Sequence, residues 1–240
     1  MLELKDIFGG YGKMTILNGT SFKIDRGTIT TVIGPNGAGK STVFKAIFGL
    51  LRIRSGQILL DGTNVTSNTP ARMLSHGVSY VPQGRNLFPM LSVRHNLEIG
   101  GISSPDQAKI RRRIDAVMDQ FPILREKADS QAITLSGGQQ KQLEIARALL
   151  LEPRLILIDE PSIGLSPQMI NETFRTLIRL RDEGVTILMV EQNAKAALAM
   201  SDYGLVLEQG RARMYDKADK LLHDPRVGQL FLGAHLEEEA

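Results

Sequence analysis

The sequence predicts an α/β protein in which helices cover a mostly parallel sheet. Two apolar runs, Leu155–Ile158 and Val185–Val190, have the near-continuous hydrophobicity of strands that are buried on both faces, as in parallel sheets. Helical patterns lie between the apolar runs. The stretch from about Leu87 to Leu135 contains no convincing strand, so we expect it to form a helical insertion within the α/β core.

Further elements follow from the same patterns. Ser166 and Pro167 predict a helix start, with serine as the N-cap and proline at the first helical position, and Gly184 is expected to end that helix. The remaining predicted strands are Ile29–Ile33, Gln57–Leu60, Val78–Val81 and Leu205–Leu207. The predicted buried stripes are Ile170, Phe174, Leu177 and Ile178 in the helix after Pro167, and Ile110, Ile114, Val117, Met118 and Phe121 in the insertion.

Composition excludes several function classes. The chain has no cysteine, which rules out disulfides, thiolate metal sites and a thiol nucleophile. Its 29 basic and 26 acidic residues give a net charge of +3, a balance that does not call for nucleic acid as a partner. The basic run Arg111–Arg113 is expected to be an exposed helix face.

The sequence shows no stretch near the roughly 18–20 apolar residues that a membrane span needs. The first residues include Glu3, Lys5 and Asp6, so we expect no signal peptide. A role at a membrane would therefore be exerted through partners, from the cytoplasmic side.

A phosphate-binding loop follows the predicted strand Ile29–Ile33 and precedes a predicted helix, Thr42–Phe48. Its pattern is G-x-x-x-x-G-K-[ST], in which glycines let backbone N–H groups approach phosphates closely. Lys40 is expected to reach the β and γ phosphates, and the Ser41 hydroxyl to ligate Mg²⁺. The predicted ATP-binding residues of this segment are Gly34, Pro35, Asn36, Gly37, Ala38, Gly39, Lys40, Ser41 and Thr42.

Two acids, Asp159 and Glu160, close the apolar strand that begins at Leu155. In parallel sheets, ligands bind at the carboxyl ends of the strands. Asp159 is predicted to hold Mg²⁺ directly or through water. Glu160 is predicted to face the attacking water, either as a general base or as a group that positions it.

A second phosphate-binding helix start is predicted at Leu135-Ser136-Gly137-Gly138-Gln139. With this motif between the phosphate loop and the two acids, the sequence resembles nucleotide-binding subunits of the ATP-binding-cassette (ABC) family from about Leu2 to Gly233. The resemblance implies a P-loop NTPase core with an antiparallel β subdomain. It implies one nucleotide-binding domain over residues 1–240, with the core in 1–86 and 136–240 and a helical subdomain in 87–135.

The resemblance also implies a head-to-tail dimer that forms with ATP. Ser136, Gly137, Gly138 and Gln139 of one subunit then contact the ATP held by the phosphate loop of another. Tyr11 occupies the position where the family stacks an aromatic ring on adenine, although it could be an ordinary surface tyrosine. Gln83 matches a family glutamine that touches Mg²⁺ or the lytic water and links the site to the insertion. The residues Phe88, Pro89, Met90 and Leu91 match a permease-docking segment, but packing within the small helical core explains them equally well.

Two positions depart from the usual family pattern. The segment Pro161–Leu165 lacks the acid that usually ends it, and Gln192 stands where most relatives carry a histidine. A glutamine can donate a hydrogen bond to a phosphate oxygen but cannot shuttle a proton near neutral pH. Any base role therefore falls to Glu160, and Gln192 is expected to position the phosphate.

The departures resemble one branch of the family, the second ATP-binding subunit of bacterial and archaeal branched-chain amino acid importers. That resemblance implies two membrane permeases, a second and different ATPase subunit and an extracytoplasmic binding protein as partners. It places the chain at the cytoplasmic face of the cell membrane as a peripheral subunit. The segments that carry it are Gly84-Arg85, Phe88-Pro89, Asp159–Pro167, Val190–Ala194 and Asp224–Val227.

Several alternatives remain open. ATPases of urea and short-amide importers are very similar, because the ATPase does not touch the transported molecule. A soluble ABC ATPase acting on DNA or the ribosome is disfavoured by the single cassette, the absence of cysteine and the short span between Lys40 and Ser136. A regulatory module without turnover is disfavoured by the presence of Lys40, Asp159 and Glu160 together.

Overall fold

The protein's structure, a computed structural model, describes residues 1–231. Three strands come first, and helices and strands are interspersed along the rest of the described chain. The strands are β1 (Leu2–Gly9), β2 (Leu17–Ile24), β3 (Ile29–Ile33), β4 (Ile53–Leu60), β5 (Thr63–Asn64), β6 (Val78–Val81), β7 (Leu155–Asp159), β8 (Thr186–Val190), β9 (Tyr203–Glu208) and β10 (Arg211–Lys217). The helices are α1 (Lys40–Ile47), α2 (Pro70–Ser75), α3 (Val93–Gly100), α4 (Gln107–Gln120), α5 (Pro122–Glu126), α6 (Gly137–Leu149), α7 (Pro167–Asp182), α8 (Ala194–Met200), α9 (Ala218–Leu222) and α10 (Pro225–Phe231), with a 3-10 turn at Ala132–Thr134.

The strands form two sheets. The larger sheet has the order β10-β9-β3-β8-β7-β6, and all of its pairs are parallel except β9 with β10. The smaller sheet, β2-β1-β4-β5, is antiparallel throughout. This confirms the predicted fold class, an α/β P-loop NTPase core with an antiparallel β subdomain. It also brings the carboxyl ends of β3, β7 and β8 to one edge.

The predicted strands are all present, but four have different bounds from those expected, of which β7 differs only by including Asp159. Strand β4 begins at Ile53 rather than Gln57, because its first residues pair with β1 while remaining largely exposed and so carry no apolar signal. Strand β8 begins one residue after Val185, whose N–H donates to Leu180 O at the end of α7. Strand β9 extends beyond Leu205–Leu207 at both ends.

Helix α7 confirms its predicted start and end. The Ser166 side chain accepts a hydrogen bond from the Met169 N–H, and Pro167 occupies the first turn. Phe174 and Leu177 are buried against the core, and Gly184 has the left-handed φ of 94° that follows the helix end. Helix α1 begins at Lys40, two residues before the predicted Thr42.

Helices α3, α4 and α5 lie between Leu87 and Leu135, and the described residues of this stretch form no strand, only an isolated bridge between Ser92 and Gln131. Helix α6 packs against α3, α4 and α5 on one side and against β6 and α7 on the other. It therefore joins the helical insertion to the parallel sheet. The predicted insertion stripe is buried at every position: Ile110, Ile114, Val117, Met118 and Phe121.

Among residues 1–231, none of the helices combines the length and hydrophobicity required to cross a membrane.

Candidate active site

The phosphate loop, residues 34–41, connects β3 to α1 at the carboxyl edge of the parallel sheet. Gly34 has a φ of 154°, and a Cβ at this position would lie 2.0 Å from the carbonyl oxygen of Leu207 on β9. Gly39, the N-cap of α1, has a left-handed φ of 100°. Glycine is required at both positions because a larger side chain would clash or strain the backbone. The loop thus delivers the N-terminus of α1 to the end of β3.

Lys40 folds back over the loop that precedes it. Its Nζ donates hydrogen bonds to Gly34 O at 2.8 Å and to Pro35 O at 3.1 Å. The side chain is buried, and this burial lowers the pKa of Lys40, while the negative charges of Glu160 and Asp159 act to raise it. The ammonium group is therefore held between the loop and both acids.

Asp159 ends β7 within hydrogen-bonding distance of the phosphate loop. The Ser41 hydroxyl donates to Asp159 Oδ1 at 3.2 Å, and the Tyr80 hydroxyl donates to Oδ2 at 3.3 Å. Burial raises the pKa of Asp159, and the hydrogen bonds from Ser41 and Tyr80 oppose that rise. Tyr80 was missed by the sequence analysis, because a tyrosine inside a short strand looks like ordinary core packing.

The oxygens of Ser41 and Asp159 form a pair of hard donors of the kind that Mg²⁺ prefers. Residues 1–231 contain no group of three or more His, Cys, Asp or Glu side chains placed to hold a metal ion. The pair therefore fits an ion that takes its other ligands from phosphate and water, as Mg²⁺ does with nucleotides. Gln83, also predicted as a metal ligand, contacts Glu160 instead of Asp159.

Gln83 and Glu160 meet although 77 positions separate them in the chain. Gln83 Nε2 donates to Glu160 Oε2 at 2.7 Å. Glu160 has a left-handed φ of 49°, unusual for a residue other than glycine, and its N–H donates to Val190 O at 2.9 Å. The backbone at Glu160 is thus held in a strained conformation next to the end of β8, as is common at functional sites.

Glu191 is a further site residue that the sequence analysis missed. It is fully buried at the end of β8, where Oε1 accepts the Ser162 N–H at 2.9 Å and Oε2 accepts the Ser162 hydroxyl at 2.7 Å. Oε2 also accepts the Gln192 N–H at 3.1 Å. Burial raises the pKa of Glu191, and the hydrogen bonds from Ser162 and Gln192 lower it. One carboxylate therefore joins the segment after Glu160 to the backbone of Gln192, whose side chain is exposed.

The predicted second phosphate-binding start, Ser136–Gln139, forms the first turn of α6. Ser136 is the N-cap and shares a capping box with Gln139: the Gln139 N–H donates to Ser136 Oγ, and the Ser136 N–H donates to Gln139 Oε1. The side chains of both residues therefore serve the cap. Gly137 and Gly138 lie next to Leu165 and Met169, and their N–H groups, at the first positions of the helix, have no backbone partner within it.

Tyr11 lies in the loop between β1 and β2, with 48% of its surface exposed. The Lys45 Nζ of α1 is 5.8 Å from the centre of its ring. Arg54 on β4 holds the loop by donating to Gly12 O at 2.8 Å and Met14 O at 3.0 Å. The ring is thus presented to solvent beside α1, as a stacking surface requires, and is not part of the core.

Comparison with known proteins identifies the class of molecule. Residues 17–163, which include the phosphate loop, the first turn of α6, Asp159 and Glu160, match the ABC transporter family. The chain belongs to that family. It is therefore an ATP-hydrolysing ABC subunit, and its sheet and helices form an ATP-binding cassette.

Two relatives match this cassette over almost its whole length. The high-affinity branched-chain amino acid transport ATP-binding protein BraG of Pseudomonas aeruginosa is 40% identical, across 97% of this chain and 100% of its own. The probable branched-chain amino acid transport ATP-binding protein LivF of Archaeoglobus fulgidus is 39% identical, across 97% of this chain and 99% of its own. The lipopolysaccharide export protein LptB of Escherichia coli is 30% identical, with 97% of each chain covered.

Solved structures show the same cassette. The ADP conformation of MJ1267, an ATP-binding cassette of an ABC transporter, superposes with a TM-score of 0.89 at 28% identity, covering 98% of this chain and 99% of its own. The protein cbiO1 of Clostridium perfringens, part of the ABC transporter complex cbiONQ, gives a TM-score of 0.83 at 27% identity, covering 96% and 98%.

The cassette exposes an apolar segment that begins at Phe88, five positions after Gln83. Phe88 is 46% exposed and Met90 is 65% exposed, and Leu91 beside them is also exposed. Buried Asn96 of α3 holds this segment: Oδ1 accepts the Phe88 N–H at 2.8 Å, and Nδ2 donates to Phe88 O, Leu91 O and Ser92 O. Of the two interpretations that the sequence allowed, exposure favours a docking surface over packing within the insertion.

Proposed function

We propose that this ABC cassette energises the import of branched-chain amino acids, using the site formed by the phosphate loop, Asp159, Glu160 and Gln83. The observation that carries the solute class is the near-full-length similarity to BraG and LivF, at 40% and 39% identity. The match to LptB is weaker, at 30%.

ATP binding is assigned to Tyr11, the phosphate loop and Gln83. The Tyr11 ring is placed to stack on adenine, and the backbone N–H groups between Asn36 and Thr42 are placed to hold the phosphates. Lys40 would exchange its two carbonyl partners for phosphate oxygens. Ser41 and Asp159 would hold Mg²⁺. Bound there, Mg²⁺ supplies charge neutralisation to the phosphate oxygens.

Hydrolysis requires a water oxygen to attack the γ phosphorus while the bond from that phosphorus to the β–γ bridging oxygen breaks. Glu160 orients that water or accepts its proton, and Gln83 fixes the carboxylate through the 2.7 Å hydrogen bond. Gln192 positions the γ phosphate without accepting a proton. The reaction releases phosphate and leaves ADP on the phosphate loop.

Signature residues Ser136, Gly137, Gly138 and Gln139 are assigned to the ATP of a second cassette in a head-to-tail dimer. In the helix cap, the Ser136 hydroxyl oxygen accepts a hydrogen bond from the Gln139 N–H. Its hydroxyl hydrogen is therefore still available to donate a hydrogen bond to a phosphate oxygen. ATP between two cassettes favours the closed dimer, and loss of the γ phosphate opens it. Residues 87–135 move as the helical subdomain, while residues 1–86 and 136–240 are assigned to the core, with 232–240 lying outside the described residues.

The partners we propose are two permeases, a second ATPase subunit and an extracytoplasmic binding protein, with this cassette at the cytoplasmic face of the membrane. The exposed segment Phe88–Leu91 supports permease docking, because it presents apolar side chains beside Gln83. Movement at a permease would thereby reach the residue that holds Glu160.

The test is a pull-down of tagged full-length protein from detergent-solubilised native membranes, read by mass spectrometry. We expect two permeases and a second cassette, and binding of branched-chain amino acids by the associated binding protein. Co-purification with a urea-binding protein or with lipopolysaccharide-export proteins would contradict the solute assignment. Recovery of soluble partners only would contradict the transport role.

A Lys40→Ala variant tests the site separately. We expect it to lose ATP binding or hydrolysis while still capturing the permeases. Lys40 is buried on the phosphate loop and is not part of the exposed segment Phe88–Leu91. Full ATPase activity in Lys40→Ala would refute the assignment of the phosphate site.

A further inference from the structure

Asn86, three positions after Gln83, is gripped on both sides of its backbone by helix α6. Its N–H donates to Glu144 Oε1 at 2.7 Å, and its carbonyl oxygen accepts from Arg147 Nη2 at 2.7 Å. Both bonds are charge-assisted, a class roughly twice as strong as neutral hydrogen bonds. The position of Asn86 is therefore set by α6.

The Asn86 side chain in turn organises the turn that carries Gln83. Its Nδ2 lies 3.1 Å from Pro82 O, 3.3 Å from Gln83 O and 3.3 Å from Gly84 O. An amide nitrogen has two hydrogens, so it shares them among these three carbonyls. One side chain thus gathers the carbonyls of the Pro82–Gly84 turn around itself.

Glu144 has a buried cation as its second partner. Lys141, one turn earlier on α6, is 2.5 Å from Glu144 Oε2, and the side chains of both residues are almost fully buried. A buried carboxylate is stable only when it is paired and hydrogen-bonded. Lys141 and the Asn86 N–H meet this requirement together, one on each carboxylate oxygen.

We propose that Asn86 is a positioning residue for ATP hydrolysis, which holds Gln83 against Glu160 and is itself held by Glu144 and Arg147. Helix α6 begins at the signature and contacts Asn86 further along, so this chain of bonds links the start of α6 to Glu160 within one subunit. When the insertion and α6 move, Gln83 moves with them. The inference rests on the proposed roles of Gln83 and Glu160.

The turn has no other described side chain that could replace Asn86 in this role. Within residues 1–231, Gln83 and Arg85 are both exposed, and the Gln83 amide is already engaged with Glu160. Loss of the Asn86 amide therefore frees three carbonyls on a turn containing Gly84, whose left-handed φ of 89° permits many other conformations. Misplacement of Gln83 by about 1 Å is enough to lower turnover substantially.

The experiment measures steady-state ATPase kinetics of the full chain with Asn86→Ala, Gln83→Ala and the double variant. We expect Asn86→Ala to lower kcat by about fivefold to tenfold with the KM for ATP within about twofold, because the phosphate loop is untouched. The double variant should be no slower than Gln83→Ala, since Asn86 acts through Gln83.

A matched control is Ser79→Ala. The Ser79 hydroxyl donates to Ala148 O, so it also ties α6 to the sheet, but through a bond that does not involve the Gln83 turn. We expect its kcat to be that of the wild type even if its melting temperature falls. Equal loss of kcat in Ser79→Ala and Asn86→Ala would mean that general loosening of α6, and not the turn, is responsible.

The possible outcomes separate the inference from the function on which it rests. Wild-type kcat in Gln83→Ala overturns the proposed role of Gln83, and this inference with it. A reduced kcat in Gln83→Ala together with wild-type kcat in Asn86→Ala, or multiplying losses in the double variant, overturns only the inference. Glu144→Ala should lower kcat as Asn86→Ala does, and it should also lower stability because it leaves Lys141 unpaired. Combining the two substitutions should lower kcat no further than Asn86→Ala alone. A double variant whose loss of kcat is the product of the two single losses would contradict the link to α6.

Discussion

At the scale of single residues, two buried carboxylates at neighbouring strand ends have different partners. Asp159 accepts hydrogen bonds from Ser41 and Tyr80, whereas Glu191 accepts them from Ser162 and from the Gln192 backbone. Burial raises the pKa of both. Asp159 is available to a metal ion, whereas both carboxylate oxygens of Glu191 are occupied by hydrogen bonds from Ser162 and Gln192.

The raised pKa of Asp159 predicts a pH dependence of stability. Folded protein holds the Asp159 proton more tightly than the unfolded chain, so this residue lowers stability increasingly as pH rises from about 3.8 through the raised folded pKa. Asn does not titrate. The unfolding free energy of Asp159→Asn relative to wild type should therefore increase with pH in that window, measured by urea unfolding without nucleotide or magnesium.

The control for this prediction is Asp216→Asn, which has the opposite sign. A hydrogen bond from the Lys217 N–H lowers the pKa of Asp216, so wild-type stability at that position grows as pH rises through its folded pKa. The relative stability of Asp216→Asn should fall with pH. If the unfolding free energies of wild type and Asp159→Asn changed with pH in the same way, the raised pKa of Asp159 would be contradicted.

Gln192 gives a second prediction at this scale. Its side chain is exposed at the end of β8, and Glu191 fixes its backbone. Because Glu160 carries any base role, Gln192→His should leave ATPase turnover within about tenfold of wild type, equivalent to about 1.4 kcal/mol. Complete loss of steady-state turnover in that variant would show that the side chain at 192 does more than position phosphate.

At the scale of elements, helix α3 shapes the exposed apolar segment. Asn96 is fully buried, and its amide uses both its oxygen and its nitrogen on the backbone of the segment from Phe88 to Ser92. An exposed apolar loop without such support would collapse onto itself. In the permease docking that we propose, the segment would therefore be ordered before its partner binds, which reduces the entropy lost on docking.

Asn96→Ala should lower the free energy of unfolding by about 1–3 kcal/mol, since it leaves buried backbone groups without partners. Hydrogen exchange should accelerate at residues 87–92, while ATP affinity stays unchanged because the phosphate site is on other elements. His95→Ala, on the exposed side of the same helix, is the matched control and should change stability by less than about 0.5 kcal/mol. Unchanged exchange in Asn96→Ala would mean that the segment is ordered by its other contacts.

At the scale of the whole molecule, the two parts that we propose to contact nucleotide are held by different regions of one fold. The phosphate loop is anchored to β3 and β9, whereas the signature start of α6 lies beside Leu165 and Met169, after Glu160. Helix α6 spans from that start to the turn of Gln83. A rigid movement of α6 therefore changes both ends together.

Glu160→Gln should accumulate a dimer with ATP and Mg²⁺, measured by light scattering on the full chain, because ATP holds the closed state and is not hydrolysed. The same substitution combined with Lys40→Ala should remain monomeric. If Glu160→Gln alone is monomeric as well, this chain does not form the head-to-tail dimer by itself. Addition of the second ATPase subunit would then show whether the dimer is a heterodimer.

Local signals account for what could be predicted about the fold. Strands β3 and β6 are bounded as expected, because both are short runs rich in β-branched or aromatic residues between turn residues. The antiparallel subdomain was expected only from the resemblance, since β1 and β2 were not predicted individually. The prediction for β4 was four residues too short, because the exposed first half of the strand is recognisable only from its pairing with β1.

The sequence by itself determined the chemistry, because the phosphate loop, the strand ending in Asp159 and Glu160, and the capped start of α6 are each contiguous and carry their meaning in local spacing. Only the tertiary structure decided which side chains hold these parts in register. Gln83 with Glu160, Ser162 with Glu191 and Asn86 with Glu144 are pairs distant in sequence. Such contacts depend on how strands and helices pack, and no periodicity along the chain records that packing.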